Sequence, residues 1–482
     1  MDMSLRYPGR KTKIVCTIGP ASRKKTTLSK MIVSGMNVAR LNFSHGNLAE
    51  HERDINRIKE LSDSLGIPVA ILADLPGPKI RIGSIQGGSC ILEKGKTVVL
   101  TPHDEIGSSA LIPVAFAGFM ESMDKGSRVF LNDGFIQLKV LRKTQDKAIC
   151  RVIIGGKLLS HKGMNLPDAR LNINPVTEKD LEFVRFGLTA GVDMFSVSFV
   201  KSPDDIMEVK RFASLFGKEA FVVAKIERKE ALEKIDAILG AADALMIARG
   251  DLGVEIPIEK VPITQKQLTF RANYHAKPVI TATQMLESMT ANTRPTRAEV
   301  TDVANAILDG TDAVMLSEET AIGSYPVEAV RMLAKIAQQT EKHKGKVASG
   351  MSIPNAVRLS LERSAVSIED TLSLDVANTL NTLKIRSILV PTLTGATARR
   401  ISRFKGGKWI IALCLKDAAF KPLIMSYGVF PVMINPDYSD ERIIEYLKEQ
   451  NLFKPKDTLL MVSALPFGGI GKENSLKIIK LD

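Results

Sequence analysis

The chain has 482 residues, 45% apolar and 25% charged, with 66 Lys and Arg against 53 Asp and Glu for a net charge of +13. That length exceeds a single hydrophobic core and calls for about two to four domains. No apolar run approaches the roughly 18 residues of a membrane span, and Met1–Arg6 lacks an apolar signal core, so a cytoplasmic protein without a membrane partner is expected. Cys16, Cys90, Cys150 and Cys414 are scattered without a CxxC pair, which disfavours a structural zinc site and fits a reducing compartment. The basic residues are spread along the chain, and one Trp and six Tyr give no aromatic-interleaved patch for nucleic acid. The positive balance suits attraction of small phosphorylated anions instead.

Apolar runs at 13–18, 36–42 and 68–74 read as buried strands, with helical stretches over 24–34 and 47–65 between them. Such alternation predicts right-handed βαβ units and a parallel sheet. The rhythm then stops. Residues 82–167 hold short glycine-punctuated runs, and Asn132-Asp133-Gly134 sits between two of them as a hairpin turn. An inserted all-β domain is expected there.

The alternation resumes with strands at 192–199, 221–227, 244–248, 278–283 and 312–317. Their helices are placed at 178–189, 203–215, 229–239, 262–275, 297–308 and 326–342. Eight strand–helix pairs predict an α/β chain built on a (β/α)8 TIM barrel, in two parts over 1–81 and 168–345. Past a Gly/Ser/Pro-bearing linker, apolar runs at 387–390, 409–413, 429–432 and 458–462 predict a C-terminal α/β domain over 350–482.

In such a barrel the chemistry lies at the C-terminal strand ends. The clearest stretch is 244–257, a wholly apolar strand that breaks at Arg249-Gly250-Asp251. A carboxylate there, after a glycine that admits a ligand to the backbone, suits a metal or phosphate site, and a turn with a solvated Asp is the ordinary alternative. Upstream, Lys225 and Glu227 stand two apart on a strand and therefore share a face. The other strand ends bring Thr17, Arg40, Asn42, Asp74 with Arg81, Ser198, Thr283 and Ser317. One site at the barrel mouth is expected. A second anion site is read at Thr392, Thr394, Gly395, Ala396 and Thr397, where hydroxyls and a glycine precede a helix, with plain N-capping as its alternative. Gly471-Lys472 lacks the remainder of a P-loop, and His45, Glu50, His51 and Glu52 do not form HExxH.

From about residue 11 to its end the chain resembles pyruvate kinase. The resemblance rests on Thr12–Ser22, Arg40-Leu41-Asn42-Phe43-Ser44-His45-Gly46, Gly77-Pro78-Lys79-Ile80-Arg81, Lys225-Ile226-Glu227, Arg249-Gly250-Asp251 and Thr281–Met289. It implies phosphoryl transfer from phosphoenolpyruvate to ADP, giving pyruvate and ATP. By this match Glu227 and Asp251 would hold Mg2+ (or Mn2+), and Lys225 would neutralise the moving phosphoryl group. The amides around Gly250 and Asp251 with the Thr283 hydroxyl would bind the substrate carboxylate, and Thr283 would be the link to the proton that reaches the enolate. Arg40, Arg81 and Ser198 would also contact substrate, while Asn42, His45, Arg81 and Lys162 would lie on the nucleotide. Many members carry an acid where this chain has Lys79, beside a K+ pocket matching Asn42, Ser44 and Asp74. The Lys79 ammonium can supply that charge, so K+ is expected to be dispensable. Glu318 stands where Gly or Ala is usual, and nothing in the sequence explains it. The match further implies a homotetramer and an activating phosphorylated small molecule at the 392–397 loop, with a glycine-rich lid over 465–472. A non-catalytic anion sensor, or a Mg2+-dependent lyase acting on enolates, are the competing readings.

Overall fold

The computed structural model describes residues 7–482 apart from 79, 115, 133, 168–173, 344–352, 362–366 and 464–474. Three strands open the chain, β1 (Lys13–Thr17), β2 (Val38–Asn42) and β3 (Ala70–Asp74), joined by helices Lys25–Ser34 and Leu48–Leu65. A region of mostly antiparallel pairing then interrupts them: β4 (Ser89–Leu92), β5 (Thr97–Thr101), β6 (Leu111–Pro113), β7 (Arg128–Leu131), β8 (Ile136–Lys143), β9 (Ala148–Ile154), β10 (Gly156–Leu159) and β11 (Met164–Asn165), with only β5 and β6 parallel among the described strands. Its main sheet runs β11-β7-β8-β9-β5-β6 around its own apolar core. Asn132 (φ 51°) and Gly134 (φ 88°) are left-handed between β7 and β8, as a tight hairpin requires.

The barrel is completed by β12 (Met194–Val197), β13 (Val222–Ile226), β14 (Ala244–Ala248), β15 (Val279–Ala282) and β16 (Ala313–Leu316). All eight parallel strands close in the order β1-β16-β15-β14-β13-β12-β3-β2. Both faces of each strand are covered, which explains why the sequence shows continuous apolar runs rather than alternation. Inward residues such as Val15, Leu72, Met194, Met246 and Met315 fill the interior, while Ile14, Ile71, Phe195 and Ile247 pack under the helices.

Two local readings need correction. The stretch 229–239 is not one helix but two, Lys229–Glu233 and Ile235–Ala241, broken at Lys234 (φ −110°, ψ 18°). Arg249 does not start a turn but a helix, Arg249–Glu255, so the first-turn amides have no partner within the helix.

A C-terminal sheet follows: β17 (Ser387–Thr392), β18 (Trp409–Cys414), β19 (Val429–Met433), β20 (Thr458–Ser463) and β21 (Ser475–Lys480), ordered β19-β18-β17-β20-β21 with β21 antiparallel. Ile424 and Met425 of this region join the barrel's inner core. The same segment meets the strand beginnings: Tyr427 N donates to Asp312 Oδ1 at 2.8 Å and Lys13 Nζ to Val429 O at 2.7 Å. The bottom of the barrel is therefore plugged and the opposite mouth left for chemistry. Among the described residues no helix is long and apolar enough to cross a membrane.

Candidate active site

The mouth is organised around a buried lysine. Lys225, near the end of β13, sends its ammonium to Glu227 Oε1 at 2.9 Å, Asp74 Oδ1 at 3.2 Å and Ser198 Oγ at 2.7 Å. The shared face expected of residues 225 and 227 is thus seen directly. Asp74, at the end of β3 and 2% exposed, also accepts Ser196 Oγ at 2.6 Å and Arg40 Nε at 2.9 Å. Arg40 in turn donates from Nη1 to Thr17 Oγ1 at 2.8 Å. Ser198 donates onward to Leu75 O at 2.7 Å, so it aims Lys225 as much as it faces the cleft.

The charges follow from this geometry. Burial alone would raise the Asp74 carboxyl, but Lys225 and Arg40, with hydrogen bonds from Ser196 and Arg40, hold it down at about 2. Burial would strip the proton from Lys225, yet Asp74 and Glu227 outweigh it and keep the ammonium charged. Glu227 is raised, by burial first and also by the nearby Asp251, against the pull of Lys225. A buried carboxyl raised in this way, beside a second carboxylate, is a place where an added cation would be favoured. Glu227 Oε2 takes the Phe199 amide at 2.7 Å, and its remaining lone pairs are hard oxygen donors. The pair could hold a divalent cation, whose oxygen shell commonly includes one or two carboxylates.

Beside them, Gly250 N donates to Thr283 Oγ1 at 2.8 Å, and that hydroxyl donates to Ala282 O at 2.7 Å. Asp251 lies in the first turn of the same helix. On β2 and the loop after it, Ser44 N donates to Asn42 Oδ1 at 3.1 Å, and His45 is exposed while its carbonyl accepts His51 Nε2 at 2.9 Å. Arg81 and Lys162 lie on adjoining backbone segments, where Arg81 pairs with Gly163, Ile82 N donates to Lys162 O at 3.0 Å and Arg81 Nη1 donates to His161 O at 3.1 Å. Lys79 lies outside the described residues. Thr17, Arg40, Asp74, Lys225 and Glu227 thus meet in one contact network at the strand ends, with Gly250 and Thr283 joined beside it.

Similarity to known proteins agrees with the arrangement. The family described as "Pyruvate kinase, barrel domain" matches residues 9–330, and "Pyruvate kinase, alpha/beta domain" matches 370–479. The chain belongs to the pyruvate kinase family. The pyruvate kinase of Thermococcus litoralis is 47% identical over 99% of this chain and 100% of its own length. That of Thermotoga maritima is 38% identical over 98% and 100%, and that of Bacillus licheniformis 41% over 97% and 80%. These relatives make the chain a phosphotransferase of this family.

Several residues at the mouth escaped the sequence reading. Ser196 had a signal, since it stands on β12 two residues before Ser198, which follows the strand end. Glu319, 2% exposed, accepts Ser317 N at 2.6 Å and Leu286 N at 3.0 Å, tying together the loops after β16 and β15. Thr320 Oγ1 donates to Thr17 O at 2.9 Å. Both sit in the short helix Glu318–Ala321, beginning at the unexplained Glu318. In the C-terminal domain, Thr392 Oγ1 accepts Gly395 N at 2.8 Å and Thr394 Oγ1 accepts Ala396 N at 3.4 Å, while Thr392 and Thr397 are buried. The Thr392 and Thr394 hydroxyls thus bond within the loop, while helix Ala396–Ser402 has Gly395 at its N-cap and no side-chain cap. The 465–472 stretch lies outside the described residues.

Proposed function

We propose that this chain moves the phosphoryl group of phosphoenolpyruvate to ADP and releases pyruvate and ATP, with Lys225 at the centre of the site. The observation that carries the reading is the buried Lys225 ammonium held between Asp74, Glu227 and Ser198. Phosphoryl transfer asks for positioning and for neutralising spread-out negative charge more than for covalent chemistry. Arg40 and Arg81 hold phosphate oxygens, and Lys225 faces the group in flight. The amides of Gly250 and Asp251 and the Thr283 hydroxyl hold the substrate carboxylate. Thr283 passes the proton that converts enolpyruvate to pyruvate. Asn42, His45, Arg81 and Lys162 receive the nucleotide. Glu227 and Asp251 would hold the divalent ion, Mg2+ or Mn2+, which when bound supplies charge neutralisation at the substrate's carboxylate and phosphoryl oxygens.

The reading includes no requirement for K+. In the pocket matching Asn42, Ser44 and Asp74, the Asp74 carboxylate already faces two cations, Arg40 and Lys225, and Lys79 replaces the acid of many relatives. Pyruvate formation with Mg2+ in tetramethylammonium buffer tests both points. Turnover that changes little on adding K+ at fixed ionic strength is expected; a large stimulation would refute the K+ reading and keep the kinase. We place an activator, a sugar monophosphate or AMP, at the 392–397 loop of a homotetramer. Phosphoenolpyruvate saturation curves left unchanged by these compounds would end that part.

A further inference from the structure

Thr283 and Gln284 follow β15 with φ of 66° and 54°, two successive non-glycine residues in the left-handed region. Each such residue is strained, a β-branched threonine most of all, and persists only where its surroundings over-determine it. What holds this turn is Arg249, the first residue of helix Arg249–Glu255. Its Nε reaches Ala282 O and Thr283 O at 3.2 Å each, and Nη2 reaches Thr283 O at 2.6 Å and Gln284 O at 3.2 Å. Nη1 turns the other way, to Asp302 Oδ2 at 2.6 Å and Gln265 Oε1 at 3.3 Å. The Arg249 side chain is only 11% exposed. One planar fork thus engages three consecutive carbonyls and is itself fixed from behind. An ammonium, a compact point charge with no such fork, cannot reproduce that.

The next residue completes the grip, because Gly250 N donates to Thr283 Oγ1. Two successive residues at one helix start therefore hold the backbone and the hydroxyl of the same threonine. We propose that Arg249 is a positioning residue for the reaction, setting the left-handed Thr283–Gln284 turn so that the Thr283 hydroxyl stays at the Gly250 amide. The proposal rests on the reading of Thr283 given above. Its consequence is that Arg249 acts on turnover through Thr283 and not through the charge it carries.

A double-mutant cycle on the full-length chain tests this. Arg249→Lys, Thr283→Ala and the double variant are compared for kcat and for KM of phosphoenolpyruvate, and for exchange of pyruvate methyl protons with D2O by NMR. Arg249→Lys is expected to lower kcat and the exchange rate about tenfold or more in the parent, and less than twofold once Thr283 is alanine. Asp302→Asn, which loosens the far end of the fork while leaving Arg249 in place, should act in the same direction by a smaller factor and likewise lose its effect in Thr283→Ala. It carries the test if Arg249→Lys fails to fold. An equal loss in both backgrounds would overturn the proposal alone. Full kcat and exchange in Thr283→Ala would overturn the reading of Thr283, and the proposal with it.

Discussion

Asp74 shows how much one side chain can carry without touching a substrate. It lies between Arg40 and Lys225, and its carboxyl is held at about 2 against an ordinary 3.8. A depressed carboxyl contributes stability that is complete above its unfolded value and lost as pH falls through the folded one, here from about 4 towards 2. Asp74→Ala leaves two cations without their shared counter-charge in a buried site, a change that costs about 3–5 kcal/mol. Urea unfolding at neutral pH should show that loss; an unchanged midpoint would mean that water or Glu227 compensates. Lys225 and Glu227 were legible from their spacing alone, because a strand places i and i+2 on one face. Their meeting with Asp74 was not. It needs the barrel to close across 151 residues of sequence, and no local pattern encodes that.

Among elements, the eight strands and most helices were legible because burial on both strand faces leaves apolar runs that punctuation residues separate. Helix Arg249–Glu255 was missed because seven residues opening Arg-Gly-Asp carry no helical period. The Thr283–Gln284 turn was missed for a different reason: neither residue advertises a left-handed backbone as glycine would. Helix Arg297–Asp309 was legible and matters to the site, since it carries Asp302. Its start is a capping box in which Thr296 Oγ1 accepts Glu299 N at 3.3 Å and Glu299 Oε2 accepts Thr296 N at 2.7 Å. Thr296→Ala should cost about 1 kcal/mol of stability. Thermal unfolding measures this, and kcat should stay near the parent value because the Glu299 link to Ser288 N is kept. A large drop in kcat would show that the cap also sets the position of Asp302.

At the scale of the whole molecule, the contact between barrel floor and C-terminal domain is built from buried charge. Lys405 Nζ meets Asp312 Oδ1 at 2.7 Å, and Asp312 also accepts the amides of Tyr427 and Val279. Nearby, burial pushes the Lys13 ammonium down to about 7, with Arg10 lowering it further and Glu341 and Asp312 opposing, while Trp409 lies 5.5 Å below. Unfolded, that lysine returns to its ordinary value of 10.5, so between about 7 and 10.5 the unfolded chain binds more protons than the folded one. Stability contributed by this group therefore rises with pH across that window. Lys13→Met should flatten the slope in denaturant unfolding between pH 7 and pH 10; an identical slope would remove Lys13 from the account. Lys13 opens a run read as a buried strand, but nothing in the sequence marked its ammonium, or Lys405, as buried, because a lysine reads as solvated until the two domains meet.

The measurement that bears most directly on the central claim is steady-state pyruvate formation from phosphoenolpyruvate and ADP with Mg2+, comparing the parent chain with Lys225→Met. Turnover is expected in the parent and a fall in kcat of about 10²–10³-fold in the variant, with KM for phosphoenolpyruvate little changed, as removal of one charge-stabilising partner does. A folded Lys225→Met chain that keeps the parent's kcat would contradict that claim.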